Sequence, residues 1–336
     1  MGGHALKNTL IKRIDLANYK RIKEYISKLL ESEGYTISEI KETPGKESFG
    51  DLDLLYLTKT NQDIRQSIIK LFNPNEIVSN GNVCSFDFDE FQIDLIKCTS
   101  LASLQFAKFY FSYGDVGGIL GRICSAYGLK FGHDGLHAVL FENTIYPEIA
   151  FDVNKHFNQI LLSDNPENVC AFLGLDWAVY SAGLTNVHDI FDWIILSKYF
   201  NTEIFTVFNH ENIKRLHARP MYIQFIEHIG INTNKINRGF QLLGNQQSEA
   251  IKYFDKYDIL VQIKKDLDIK KTVYIKFNGN HLAAKGYDGK KIGQIISQMK
   301  KIIGENYQTT WNQWIYNSEI DTIYKLLDDV ITTLKL

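Results

Sequence analysis

The sequence predicts an α+β protein: a small mixed-sheet palm with flanking helices, followed by a mostly helical C-terminal region. Two patterns and one composition predict it. Up to about residue 100, runs of β-favouring length and apolar content alternate with helical spacing. Beyond about residue 155 most apolar patterns are helical. Hydrophobic residues make up 45% and charged residues 23%, which excludes a disordered or fibrous chain. The 336 residues suffice for two or three packed units.

Residues 1–15 read as an arm, and Asp15 as the N-cap of a helix over Leu16–Glu33. Within that helix Tyr19, Ile22, Ile26, Leu29 and Leu30 recur at helical spacing, and Gly34 ends it. An extended segment around Tyr35–Glu42 leads to the turn Pro44-Gly45 and a strand over Asp51–Leu57. A helix over Asn61–Phe72 ends at Asn73-Pro74, and strands Val83–Phe88 and Phe91–Ile96 join at Asp89-Glu90. After Ser100, helices are expected over Leu101–Tyr113 and Val116–Tyr127, with a strand near His137–Glu142. Further helices are expected over Asn168–Phe172, Val187–Tyr199, Glu211–His217 and Met221–His228. The last three cover Gln247–Tyr257, Lys291–Ile303 and Glu319–Leu334. The organisation expected is an arm over 1–15, a palm with pocket helices over 16–150, and a helical region over 151–336.

The net charge of -2 excludes a polycation, although a basic face can hide in a neutral total. Cys84, Cys98, Cys124 and Cys170 lie far apart and read as reduced thiols of an intracellular, cytoplasmic or nuclear protein. The first 30 residues contain no signal-like apolar run, and no stretch approaches the roughly 18 apolar residues of a membrane helix.

The most informative residues are Gly50-Asp51-Leu52-Asp53-Leu54-Leu55. Residues two apart on a strand share a face, so Asp51 and Asp53 project side by side among buried leucines. Two such carboxylates repel unless a cation neutralises them, and burial raises the cost. A third acid, Asp94, sits in the apolar run Phe91-Gln92-Ile93-Asp94-Leu95-Ile96, on a strand able to lie beside the first. Three such acids can hold two magnesium ions, with manganese as substitute. Asp87 and Asp89 form a competing pair, but they flank a predicted hairpin turn where solvent accounts for them.

The string GKESFGDLDLLYL resembles the turn and first metal strand of the DNA polymerase β-type nucleotidyltransferase superfamily, and FQIDLI its third-carboxylate strand. FAKFYFSYGDVGGILGR is similar to the family's aromatic helix and Gly turn under the incoming nucleotide, and NPENVCAFLGLDW to its thumb. KFNGNHLAAKGYDGKKIGQIISQMKK is similar instead to the C-terminal segment of CCA-adding enzymes. The Gly-Gly-x-Ala arm is similar to chains of this kind in fungi and large DNA viruses. The resemblance implies a nucleotidyltransferase palm in which Asp51 and Asp53 bind both metals and Asp94 completes the catalytic one. It further implies that Gly45, Lys46, Ser48 and Gly50 approach the triphosphate, and that Tyr113 and Gly114 line the sugar and base pocket. The family's Gly-Ser pair and preceding basic residues are missing: Ile40, Lys41, Thr43 and Pro44 stand there, and Phe49 replaces a small residue. Phosphate binding is therefore built differently, and one route is a folded-back arm in which Gly2-Gly3 and Lys7, Lys12 or Arg13 supply the cradle.

Arg122, near Gly114 on the second helix, is a candidate for contact with the base or template. Between Lys264 and Lys301 ten lysines face three acids, formally +7, which leaves -9 for the rest of the chain. There Lys276, Asn278, Lys285, Lys290 and Lys291 are candidates to grip a nucleic-acid backbone, the last two at a helix start that favours phosphate. Tyr307, Trp311, Trp314 and Tyr316 read as core packing. The expected reaction is attack of a nucleic-acid 3′-hydroxyl on the α-phosphate of a nucleoside triphosphate. A family X-like DNA polymerase leads. A template-independent RNA nucleotidyltransferase and an inactive nucleic-acid-binding homologue are the alternatives.

Overall fold

The computed structural model describes residues 5–58, 63–141, 156–208, 210–232, 237–239 and 243–336, so Gly2 and Gly3 lie outside the described residues. They form two compact units, 1–256 and 257–336. The architecture is α+β, as the sequence predicts.

The first unit is built on a five-stranded mixed sheet of order β2-β4-β7-β6-β5. Its strands are β2 (Tyr35–Glu39), β4 (Asp51–Thr58), β5 (Ile77–Asn80), β6 (Val83–Phe88) and β7 (Phe91–Lys97). β4 and β7 run parallel; every other neighbouring pair is antiparallel. β1 (Ile14–Asp15) pairs with β3 (Ser48–Phe49), so the end of the arm is a strand. Asp15 caps helix α1 (Leu16–Ser32) by accepting from the Asn18 amide at 2.8 Å. α1 and α2 (Ile64–Phe72) cover one sheet face: Tyr19, Ile22, Ile26, Leu30, Ile64 and Ile68 pack on Leu52, Leu54, Phe86, Ile93 and Leu95. On the other face Leu55 and Ile96 pack on Leu104 and Ala107 of α3 (Leu101–Phe111). Strand alternation thus feeds two cores from one β4.

α4 (Val116–Ser125) leads into a second, three-stranded antiparallel sheet of β8 (Leu129–Gly132), β9 (Gly135–Phe141) and β10 (His156–Ser163). The sequence expectation contained β9 alone, because β8 is four residues long and His156-Phe157-Asn158-Gln159 breaks the apolar pattern of β10. Helices α5 (Pro166–Leu173), α6 (Trp177–Ala182) and α7 (Val187–Ile195) follow, then β11 (Val207–Phe208). α8 (His210–Ala218), α9 (Pro220–His228), β12 (Asn237–Arg238) and α10 (Gln247–Tyr253) complete the unit. The division falls after residue 256 rather than near 150, because α3 and α4 pack against β8, β9, α5 and α7.

The second unit contains α11 (Tyr257–Lys276), α12 (Gly279–Ala284), α13 (Gly289–Tyr307), α14 (Trp311–Asn317) and α15 (Ile320–Leu334). Its core includes Phe277, Leu282, Met299, Trp314, Ile323 and Leu327. Trp314 is buried and Trp311 packs against that core, whereas Tyr307 and Tyr316 are exposed. α11 lies outside the sequence expectation: five lysines interrupt its apolar residues, of which only Val273 is buried. All four cysteines are buried free thiols. Among the described residues no helix is long and apolar enough to cross a membrane.

Leu54 is fully buried against α1. Leu54→Ala is expected to cost about 2–5 kcal/mol, measured as a lowered midpoint in chemical denaturation.

Candidate active site

The register of the central sheet assembles the acids. Across the parallel pair, Asp53 lies opposite Asp94 and Asp51 opposite Gln92. Across β6–β7, Asp94 lies opposite Ser85 and Gln92 opposite Asp87. Two polar rows therefore cross three strands, Asp53–Asp94–Ser85 and Asp51–Gln92–Asp87, with neighbouring strands about 4.8 Å apart. They share the face on which Leu55 and Ile96 meet α3, further along the same strands. Asp87, expected in solvent, is buried instead: it accepts from the Glu76 amide at 2.7 Å and from Asn75 Nδ2 at 2.8 Å. Asp89 is the turn residue, at φ 51°, and it pairs with Arg21.

Burial and mutual repulsion dominate the electrostatics. The Asp53 carboxyl is pushed well above the ordinary range by desolvation first, then by Asp51, Asp94 and Glu42, with Lys46 opposing. Asp94 is also raised, chiefly by burial and further by Asp51, while hydrogen bonds from Ser85 and Gln92 pull it back. Glu42 is a fourth acid, unforeseen in the sequence; it accepts from the Tyr19 hydroxyl at 2.5 Å and Lys46 Nζ at 2.6 Å. Tyr19, stacked on Phe49 at 4.0 Å, is raised by burial, Glu42, Asp53 and Asp51. Among the described residues no three acidic, His or Cys side chains stand as a ready cage for a metal. Both Asp94 oxygens accept from Gln92 Nε2, at 3.0 and 2.9 Å. The donor chemistry nonetheless fits a hard divalent cation: the donors are all carboxylate oxygens, and their repulsion falls when a cation sits among them.

Asp51 and Asp53 open on a cleft of about 720 Å³. Arg13, Lys41, Lys46, Arg215 and Arg219 bring five cationic side chains to its lining. Arg13 donates to Ser48 Oγ at 2.9 Å and to its carbonyl at 2.6 Å. Lys41 Nζ lies 5.5 Å from the Tyr113 and Tyr180 ring centres. Arg219 pairs with Asp115 at 2.5 Å. The Tyr113–Gly114 turn has φ of 60° and 68°. A Cβ at Gly114 would lie 2.6 Å from Thr43 Oγ1 and 2.9 Å from Met221 Sδ, so only glycine lets these three segments meet.

Of the expected nucleotide residues, Gly45, Lys46, Ser48 and Gly114 line this cleft. Gly50 is buried between β3 and β4. Tyr113 is also buried, its hydroxyl accepting from the Leu184 amide at 3.1 Å. Arg122 is a correction: only 2% exposed, it donates to the Ile204 and Val207 carbonyls and so braces the fold, not a ligand. Of the basic arm residues Arg13 alone lines the cleft; Lys12 pairs with Glu90, and the Lys7 amide donates to Glu76 at 3.1 Å.

In the second unit, Lys276, Asn278 and Lys285 make contacts within the fold. Lys276 Nζ donates to the Tyr316 and Ser318 carbonyls, both at 2.8 Å. Asn278 caps α12, accepting from Asn280 at 2.7 Å and donating to the Tyr274 carbonyl at 2.6 Å. Lys285 Nζ lies over the Tyr324 ring. At the start of α13, where Lys290 and Lys291 are exposed, Asp288 already accepts from the Lys291 amide at 2.9 Å. The carboxylate takes the place a phosphate would have.

Asp115 lies within the FAKFYFSYGDVGGILGR string but is not singled out by it; Arg215 and Arg219 carry no motif, and their four-residue spacing is their only sequence signal. Compared with known proteins, the chain matches no protein-family model and no curated sequence.

Because the native pKa of Asp53 exceeds its unfolded value, the folded state holds the proton more tightly. That contribution to stability is complete at acid pH and is lost as pH rises from the ordinary carboxylate range through the raised value. Asp53→Asn should therefore stabilise the metal-free protein at pH 7–8, by about 2–4 °C in melting temperature for each kcal/mol relieved. The gap should close towards pH 3–4 and reverse when magnesium is added. Thermal scans across pH, with and without magnesium, check all three.

Proposed function

We propose that the chain is a nucleotidyltransferase that joins a nucleotide, taken from a nucleoside triphosphate, to the 3′-hydroxyl of a nucleic acid. The observation that carries this reading is the register that sets Asp53 opposite Asp94, with Asp51 on the same face, beside a cleft lined by five cationic side chains. Acids on one wall and bases on the others suit a ligand that is anionic at its phosphates and must meet a cation at its reacting phosphorus.

Asp51, Asp53 and Asp94 would hold two magnesium ions, which when bound supply activation of the attacking hydroxyl and neutralisation of charge on the leaving pyrophosphate. Arg13, Lys41, Lys46, Arg215 and Arg219 would bind the triphosphate and fix its approach to the acids, in place of the backbone cradle the sequence lacks. Arg13 also ties Ser48 to the arm, which holds the Gly45–Ser48 turn against the cleft. Gly114 keeps Thr43, Met221 and its own turn in contact, so that loop and helices form one wall. The reading favours a family X-like DNA polymerase, since the resemblance is densest over these acids and the Tyr113–Gly114 turn.

The test is extension of a labelled primer in magnesium, with each dNTP or NTP supplied alone, with and without template. Extension with dNTPs on a template is the expected result. NTP addition without template would reassign the substrate, and nucleic-acid binding without any incorporation would end the enzymatic reading. Asp53→Asn and Asp94→Asn should each lower kcat by roughly three orders of magnitude, about 4 kcal/mol, with circular dichroism unchanged. Arg215→Ala should instead raise KM for the nucleotide about tenfold and leave kcat nearly untouched.

A further inference from the structure

The arm reaches the acids as well as the cleft. Leu6 is only 6% exposed and anchors it to the palm. Glu76 accepts from the Lys7 amide at 3.1 Å and from the Asn8 amide at 2.8 Å. Two residues before Lys7, the Ala5 amide donates to Gln92 Oε1 at 3.0 Å, a contact spanning 87 positions of sequence. Gln92, 2% exposed, then donates through Nε2 to both oxygens of Asp94 at 3.0 and 2.9 Å.

Chemistry fixes the sense of this chain of contacts. A backbone N–H can only donate, so the Gln92 oxygen faces the arm. An ionised carboxylate can only accept, so the Gln92 nitrogen faces Asp94. A buried amide needs partners at both ends, and these two satisfy it. We propose that Gln92 is a positioning residue for Asp94 and that the arm acts on the acid site through it, Ala5 holding the amide in the one orientation that presents donors to the carboxylate. The proposal rests on the reading of Asp94 as a cation ligand. Gln92 keeps that carboxylate oriented on its row and supplies two hydrogen bonds to the charged form.

Three variants of the full chain test this: Gln92→Leu removes both contacts, Gln92→Glu keeps the acceptor for Ala5, and Leu6→Asp undocks the arm. Amide hydrogen exchange at Ala5 should be protected in the wild type and in Gln92→Glu, and unprotected in Gln92→Leu. Manganese titrated into the metal-free proteins should bind about tenfold more weakly to Gln92→Leu, and severalfold more weakly to Leu6→Asp. The double variant Gln92→Leu/Leu6→Asp should bind no more weakly than Gln92→Leu alone. Protection of Ala5 that survives Gln92→Leu, or losses that multiply in the double variant, would overturn the proposal. Equal manganese binding by the wild type and Asp53→Asn would instead sink the cation reading and, with it, the part of the proposal that concerns Asp94. The exchange result would still report the arm–Gln92 contact on its own.

Discussion

Like charge held out of water on one sheet face is the constraint on which the first unit turns. Asp53 faces Asp94 across a parallel pair, Asp51 stands two residues away, and Glu42 approaches from the preceding loop. A fold that spent its central strands only on stability would place leucines there, as β4 does at Leu52, Leu54 and Leu55. Burial first, and then the neighbouring acids, raise the proton affinity of Asp53 and Asp94, and the protein places donors around the group: Ser85 and Gln92 on Asp94, Lys46 and the Tyr19 hydroxyl on Glu42. These contacts soften the repulsion without cancelling it. A site poised in this way is stabilised by whatever cation enters it, so cation affinity and fold stability are linked.

The same strands explain how such a site is afforded a rigid frame. Alternation gives one face of β4 and β7 to α1 and α2, and divides the other between α3 and the acids. Register between two core strands cannot slip by one residue without turning the apolar set outward. The spacing of Asp53 from Asp94 is therefore set by the hydrophobic core, and the acids need supply none of the energy that aligns them.

How much of this was legible follows from what period two reveals. Asp51, Asp53 and Asp94 could be assigned to one face because each sits in an apolar strand whose alternation marks its direction, and the parallel pairing then brings them together. Arg122 shows the limit. Its position beyond Gly114 is right for a ligand contact, yet nothing local records that its guanidinium turns inward to the Ile204 and Val207 carbonyls. In the lysine-rich segment Lys276 and Asn278 are occupied by carbonyls and helix ends, which only the tertiary structure supplies. Arg13, Arg215 and Arg219 reach one cleft from elements some 200 residues apart in the chain, and no window of sequence holds that fact.

Their convergence sets the character of the cationic lining of the cleft. A cradle of backbone N–H groups is fixed by the fold and points its dipoles at a phosphate regardless of its neighbours. Here the turn at Gly45 is short and Phe49 is packed on Tyr19, so the positive charge comes from long side chains on the arm, the loop, α8 and the start of α9. Such side chains cost entropy to order, and their attraction is screened by salt where they are exposed. They gain in return the planar, paired donors of guanidinium, and two of them are already oriented: Arg13 by Ser48 and Arg219 by Asp115. Arg13 is also covalently part of the arm that reaches Gln92, so the group that would meet the phosphates and the group that steadies the third acid share one short segment. On the proposed reading, order in that segment would serve both ends of the reaction at once, which gives a physical reason to keep the arm docked.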